Sequence, residues 1–269
     1  MNFDTVKLVF FSPTGTTKKI LHAIAQGYGA GKVEVLDLTL PETDNEKPCE
    51  INGELMIFGV PVYEGRVAKT ALLRLRRFKG HKTPGVVVVM YGNRDFEDAL
   101  LELSDFIRDL GFLPVAGGAF IGEHSFARED RPMANGRPDE EDLKAARDFG
   151  SKIRAKISEL NSINKASLIM PPGNKSYIEH DTRGMEDKSA STIVEKCTLC
   201  GDCEKICPVG AITIEDNLVK TENSACILCN ACVKNCPSKA RVVDDPMINK
   251  LVNWVSKNFQ ARREPEIFI

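Results

Sequence analysis

Charge of one sign is missing from this chain: 36 Lys and Arg against 38 Asp and Glu leave a formal net charge of −2. Such a balance gives no electrostatic footprint for nucleic acid or for an anionic membrane surface. Aromatic residues are sparse, 7% of 269 residues with one tryptophan. Long hydrophobic runs are absent as well. Stretches such as Val86–Met90 fall far short of the roughly 20 apolar residues that a bilayer span requires. The opening MNFDTVKLVFFS lacks a basic n-region and passes at once into a strand-like run. A targeting segment is therefore not expected, and the expected location is the cytoplasm. Neither the lysine of a P-loop, nor a G-x-G-x-x-G run at the first turn, nor a Ser/His/Asp or paired-carboxylate pattern is present. These absences argue against nucleotide hydrolysis, direct pyridine-nucleotide oxidation and hydrolytic chemistry, and no catalytic residue is assigned.

Cysteine, by contrast, is concentrated. Eight of the nine cysteines fall in two copies of C-x2-C-x2-C-x3-C-P, CTLCGDCEKICP at 197–208 and CILCNACVKNCP at 226–237. Zinc sites favour C-x2-C pairs set apart by a longer loop, and a disulfide scaffold needs an oxidising compartment. Three thiols at x2 spacing can instead wrap one side of an iron–sulfur cuboid, with a fourth supplied from elsewhere. The runs resemble those of bacterial two-cluster ferredoxins, in which the fourth cysteine ligates the other cluster. That resemblance implies Cys197, Cys200, Cys203 and Cys236 on one [4Fe–4S] cluster, and Cys226, Cys229, Cys232 and Cys207 on the other. Pro208 and Pro237 turn the chain away after each crossing cysteine, and Cys49 is a free thiol without a role.

A chain of this length is more than a ferredoxin. Val6–Phe11 reads as a buried strand, Ser12–Thr17 (SPTGTT) as a turn and Lys18–Ala25 as helical. Strand, hydroxyl-rich turn and helix make an anion site, because the first amides of a helix point outward unsatisfied. Ser12, Thr14, Thr16 and Thr17 supply hydroxyls, and Gly15 permits a tight turn close to a phosphate. So many hydroxyls exceed the needs of one N-cap. Further strands are expected at Val33–Leu38, Leu55–Val60, Val86–Tyr91 and Leu113–Phe120, with helices at 17–28, 67–78, 96–110 and 139–161. The alternation predicts an α/β flavodoxin-like doubly wound sheet of five parallel strands, with its ligand at the carboxyl ends of the strands. There lie Pro61–Arg66 and Tyr91–Phe96. The SPTGTT loop at the first turn resembles the FMN phosphate loop of flavodoxins, and that resemblance makes Tyr63 and Tyr91 candidates to stack on a flat isoalloxazine. Pro61, Val62, Gly65, Gly92 and Asn93 would bring backbone to its polar edge. Glu123 and His124 read as loop residues, and the basic run Arg74–Lys82 as a solvated helix end.

The expected division is 1–163 for the FMN-binding unit, 164–192 for a linker that wraps along it, 193–245 for a small α+β two-cluster ferredoxin-like domain, and 246–269 for a C-terminal helix and tail. Ala211–Lys220 reads as a hairpin with Ala240–Val243 as its partner, and Trp254 as a packing anchor. In order, the hydroxyl loop, the two tyrosine loops, the Ala119–Phe126 segment and the cysteine runs resemble fused flavodoxin–ferredoxin proteins of anaerobes. The resemblance covers nearly the whole chain. It implies FMN in the first domain, two [4Fe–4S] clusters in the second, and an electron carrier exchanging electrons with redox partner proteins. An FMN-dependent reductase of a small molecule, fed by its own ferredoxin domain, is the alternative. The sequence leaves open a homodimer, and whether transfer runs within or between chains.

Overall fold

The computed structural model describes every residue except 46, 180–184 and 186. From the N-terminus come β1 (Thr5–Phe10), α1 (Thr16–Tyr28), β2 (Lys32–Asp37), β3 (Cys49–Ile51), β4 (Leu55–Tyr63), β5 (Arg66–Val67), α2 (Lys69–Leu75), β6 (Phe78–Gly80), β7 (Thr83–Tyr91), α3 (Ala99–Asp109), β8 (Phe112–Ile121) and α4 (Glu140–Ser158). The parallel strands run in the order β8-β7-β4-β1-β2, the flavodoxin-like doubly wound order that places a ligand at the β1/β4 switch. Every residue of β7 is buried, as a central strand covered on both faces demands. One apolar layer packs under α2 and α3 and includes Phe58, Leu100, Leu103 and Phe112. The other packs under α1 and α4 and includes Phe10, Ile24, Phe120 and Phe149. Glycine lets those two helices approach backbone to backbone: a side chain at Gly150 would run into the Ile24 carbonyl, and one at Gly27 into that of Arg147.

Two local features depart from the sequence expectation. The helix expected over 67–78 is shorter, because Arg66–Val67 fold back on β4 and Phe78–Gly80 pair with β3. β2 is an edge strand, so Val33 and Val35 face solvent.

After α4 the chain crosses the sheet edge. Ile169 is buried, and its N–H donates to the Pro114 carbonyl at 2.9 Å. The Asp98 carboxylate accepts the N–H groups of Asn174 and Ile178, and Tyr177 donates to Asp105 on α3. Next come β9 (Ser191–Thr192), α5 (Asp202–Lys205), β10 (Ile212–Glu215), β11 (Leu218–Thr221), α6 (Ala231–Lys234), β12 (Arg241–Val242), α7 (Pro246–Asn258) and β13 (Glu266–Phe268). β10 and β11 form the expected hairpin, with Asp216 and Asn217 both at positive φ in its two-residue turn. The partner of β12 is β9, not that hairpin, a correction to the expected pairing. Asp245 caps α7, which buries Ile248, Val252 and Val255 beside Ala127, Met133, Cys207 and Cys232. Trp254 is 53% exposed, with its ring edge-on to Phe259 at 5.5 Å. It lies off the buried face of α7 and does not anchor a core, which corrects the packing role expected of it. β13 adds antiparallel to β8 opposite Gly117–Ala119 and covers the sheet edge. No helix among the described residues is long and apolar enough to cross a membrane.

Candidate functional site

The β1–α1 turn is tied from within. Ser12 N–H donates to Thr39 Oγ1 at 3.0 Å, and Ser12 Oγ accepts from Lys18 N–H at 3.1 Å. Gly15, at φ 81°, is the N-cap of α1 and offers no side-chain cap, and no acidic residue occupies the first turn. α4 is the opposite case, with a complete Asp139/Asp142 capping box and three carboxylates in its first turn. A Cβ placed on Gly15 would meet nothing within 4 Å, so the space before α1 is open. Thr14 and Thr16 are partly exposed there, whereas Thr17 is buried with its methyl against Gly59. The start of α1 thus offers amides and hydroxyls to an anion without a competing carboxylate. This donor set fits a phosphate.

The Pro61–Arg66 stretch is a hairpin rather than a loose loop. β4 continues through Pro61, Val62 and Tyr63 and turns at Glu64 and Gly65, at φ 56° and 76°. Arg66 then donates twice to Glu102 and once to the Ile178 carbonyl, at 2.6–2.8 Å. Gly65 has no room for a side chain, because the Glu97 carboxylate occupies the space. Tyr63 is half-buried. Burial first, then the neighbouring Cys229 and Cys226 side chains, push its phenol well above the ordinary value.

At the end of β7, Tyr91 is 3% exposed and packs on Phe96 at 5.6 Å. Its ring is a wall of the α/β core, not an open face. The Asn93 side chain is committed elsewhere: it donates to the carbonyls of Phe259 and Ala261, each at 2.8 Å, and accepts from Arg263 N–H. Gly92 lies directly against the His124 ring. The structure thus brings Gly92 and His124 together, and draws Asn93 towards the C-terminal segment. His124 Nδ1 accepts from Phe126 N–H at 3.2 Å, so the neutral ring carries its proton on Nε2. Burial, aided by the cations Lys234 and Arg94, lowers its pKa to about 4.

The cysteines surround two cavities. Cys197, Cys200, Cys203 and Cys236 line the first. Cys207, Cys226, Cys229 and Cys232 line the second. The last cysteine of each run accepts an N–H four residues on, Ala211 to Cys207 at 3.3 Å and Ala240 to Cys236 at 3.2 Å. Burial pushes the Cys229 thiol up to about 12. A thiol so placed stays protonated in a bare protein, and a bound metal is what makes it a thiolate. Each cavity is bordered by four sulfur donors, a set that fits a thiolate-ligated cluster.

Two residues that the motifs did not reveal join the two halves, and a third borders both cysteine cavities. Arg74, 5% exposed, donates to Asp44, to the Leu38 and Thr39 carbonyls, and at 2.8 Å to the Pro208 carbonyl beside Cys207. It is a buried tie, not part of a solvated helix end. Lys234, on α6 between two cysteines, pairs with Glu123 and donates to the Ala127 carbonyl. Arg241 lines both cysteine cavities. Only charge hinted at these roles, together with closeness to the cysteine runs for Lys234 and Arg241 but not for Arg74.

Residues 196–240 match the family described as 4Fe-4S dicluster domain. No curated protein matches the chain. Among solved structures, similarity extends to a flavodoxin from the domain Archaea, at 17% identity and TM-score 0.37 over 58% of this chain and 99% of that one. A Streptococcus pneumonia TIGR4 flavodoxin aligns at 18% identity and TM-score 0.38, covering 56% of this chain and 99% of its own. Two-electron reduced Megasphaera elsdenii flavodoxin aligns at 16% identity and TM-score 0.36, covering 55% and 98%. The chain thus joins an α/β sheet of flavodoxin-like strand order to a segment, residues 196–240, that matches the 4Fe-4S dicluster domain and brings its cysteines around two cavities.

Proposed function

We propose that the chain relays electrons between two [4Fe–4S] clusters and an FMN, and from there to redox partner proteins. The division at 1–163, 164–192, 193–245 and 246–269 is part of this reading. Cys197, Cys200, Cys203 and Cys236 hold one cluster, and Cys226, Cys229, Cys232 and Cys207 the other. The Gly15, Thr16 and Thr17 amides with the Thr14 and Thr16 hydroxyls hold the FMN phosphate, and Ser12 keeps that turn in shape. Tyr63 offers the stacking face, with Pro61, Val62, Gly65 and Gly92 along the ring. When bound, the flavin supplies exchange of one or two electrons, and the clusters supply transfer of one at a time.

The observation that carries the reading is the position of Tyr63. It ends β4 at the ligand side of the sheet, and its ring lies beside Cys226 and Cys229 of the second cysteine run. Ile227, between those cysteines, packs against the same apolar layer as Tyr63. Electron transfer falls steeply with distance, so this adjacency supports a relay inside one chain. Flavin, iron and sulfide are measured on protein purified without oxygen, followed by reductive titration with absorbance and EPR. One FMN and about eight iron per chain are expected. Iron without flavin refutes the FMN half, and saturable turnover of a small molecule would make the protein a reductase instead.

A further inference from the structure

Arg241 is 3% exposed. Its Nη1 donates to Thr192 Oγ1 at 2.6 Å, and its Nη2 to the Ala190 carbonyl and Thr221 Oγ1, each at 2.8 Å. All three acceptors are neutral, and Nε–H has no acceptor among the described residues. No carboxylate among the described residues pairs with this guanidinium. A buried cation without a counter-anion costs several kcal/mol, so its surroundings should supply negative charge. Both cysteine cavities are lined by Arg241. Nη2 also lies 3.9 Å from Cys232 Sγ in the second set. One buried side chain thus borders both sets of cysteines. Its fork is fixed by Thr192 of β9 and Thr221 of β11.

We propose that Arg241 is a shared counter-cation for the two clusters, raising the reduction potential of both together. The inference rests on the cluster reading above. Arg241 is permanently charged and stabilises the negative charge that one added electron brings to either cavity. No bond forms or breaks and no proton moves; the electron comes from the external reductant. Because one guanidinium serves both cavities, it keeps the two potentials moving together rather than apart.

The test is an EPR-monitored potentiometric titration with dithionite of Arg241→Gln and Arg241→Lys in the full chain, with iron and sulfide content measured on each. Arg241→Gln is expected to make both clusters harder to reduce by at least tenfold in the one-electron equilibrium, a fall of about 59 mV. Arg241→Lys keeps the charge and holds both midpoints within threefold of the native protein. Full iron with both potentials unmoved in Arg241→Gln overturns the proposal, and so does a shift of one cluster alone. Should Arg241→Gln fail to assemble, Arg241→Lys bears the test: retained midpoints support a role of charge, and a fall in either overturns it. Native protein without iron and sulfide would instead refute the cluster reading itself.

Discussion

Asn93 offers a sharp test of how the C-terminal segment is held. Its side chain is 3% exposed, and its amide donates to two carbonyls at 2.8 Å, Phe259 and Ala261. Its backbone sits at φ 69°. Asn93→Ala removes both bonds, at about 0.5–1.5 kcal/mol each. It also replaces a residue that tolerates the left-handed region with one that does not, which adds strain. Asn93→Gly loses the same bonds without that strain. The loss falls on Phe259–Phe268, because that is the segment the amide secures. Native-state hydrogen exchange at Glu266–Phe268 reads it directly, since these residues pair with β8 only while the segment is docked. A weakening of about 2 kcal/mol corresponds to roughly thirtyfold faster exchange, with Asn93→Ala faster than Asn93→Gly. Exchange in both variants within threefold of the native protein would refute the assignment of Asn93 as the fastening of this segment.

Three further outcomes are expected. His124 has an ordinary pKa of 6.5 and a folded value of about 4; the unfolded chain therefore takes up a proton first as pH falls. Its contribution, up to about 3 kcal/mol, is present above pH 6.5 and lost between there and pH 4, and urea midpoints of His124→Gln should be flatter across that window. Gly15→Val forces a β-branched residue to φ 81°, and Tyr63→Ala removes the stacking face. Each should weaken FMN binding at least tenfold by fluorescence titration, and unchanged affinity in both would remove the phosphate turn and the ring from the site. Cys207→Ser should damage the cluster of the second cavity and spare the other, as EPR and iron content report; a lesion confined to the first cavity would reverse the ligand sets.

The parts legible in the sequence are those whose signals are local. Strand, SPTGTT turn and helix occupy adjacent residues, and the cysteine duplication is a spacing, so the sheet and both cysteine runs were readable without partners. What escaped depends on distant groups. Asn93 reads as a turn residue suited to positive φ, yet its acceptors lie up to 168 positions away. Arg74 belongs to a run that looks solvated, and only the Pro208 carbonyl, 134 positions on, makes it a buried tie. Glu266–Phe268 has too few residues for a period to appear, and becomes a strand because β8 presents an open edge. Trp254 misled for the converse reason: apolar spacing along α7 marks more than one face, and the buried one carries Ile248, Val252 and Val255.

The pairing of β13 with β8 changes the mechanics of the whole assembly. The chain leaves the large sheet after α4, passes through both cysteine runs, and returns to the same sheet. A segment fastened at one end is a swinging arm; fastened at both, it is a bridge. Rotation about residues 160–190 alone would have to peel Glu266–Phe268 from Gly117–Ala119. Under the proposed relay, electrons crossing this junction would meet a gap of set width. Their rate is expected to be indifferent to solvent viscosity, where a carrier that must swing into place would slow as the medium thickens.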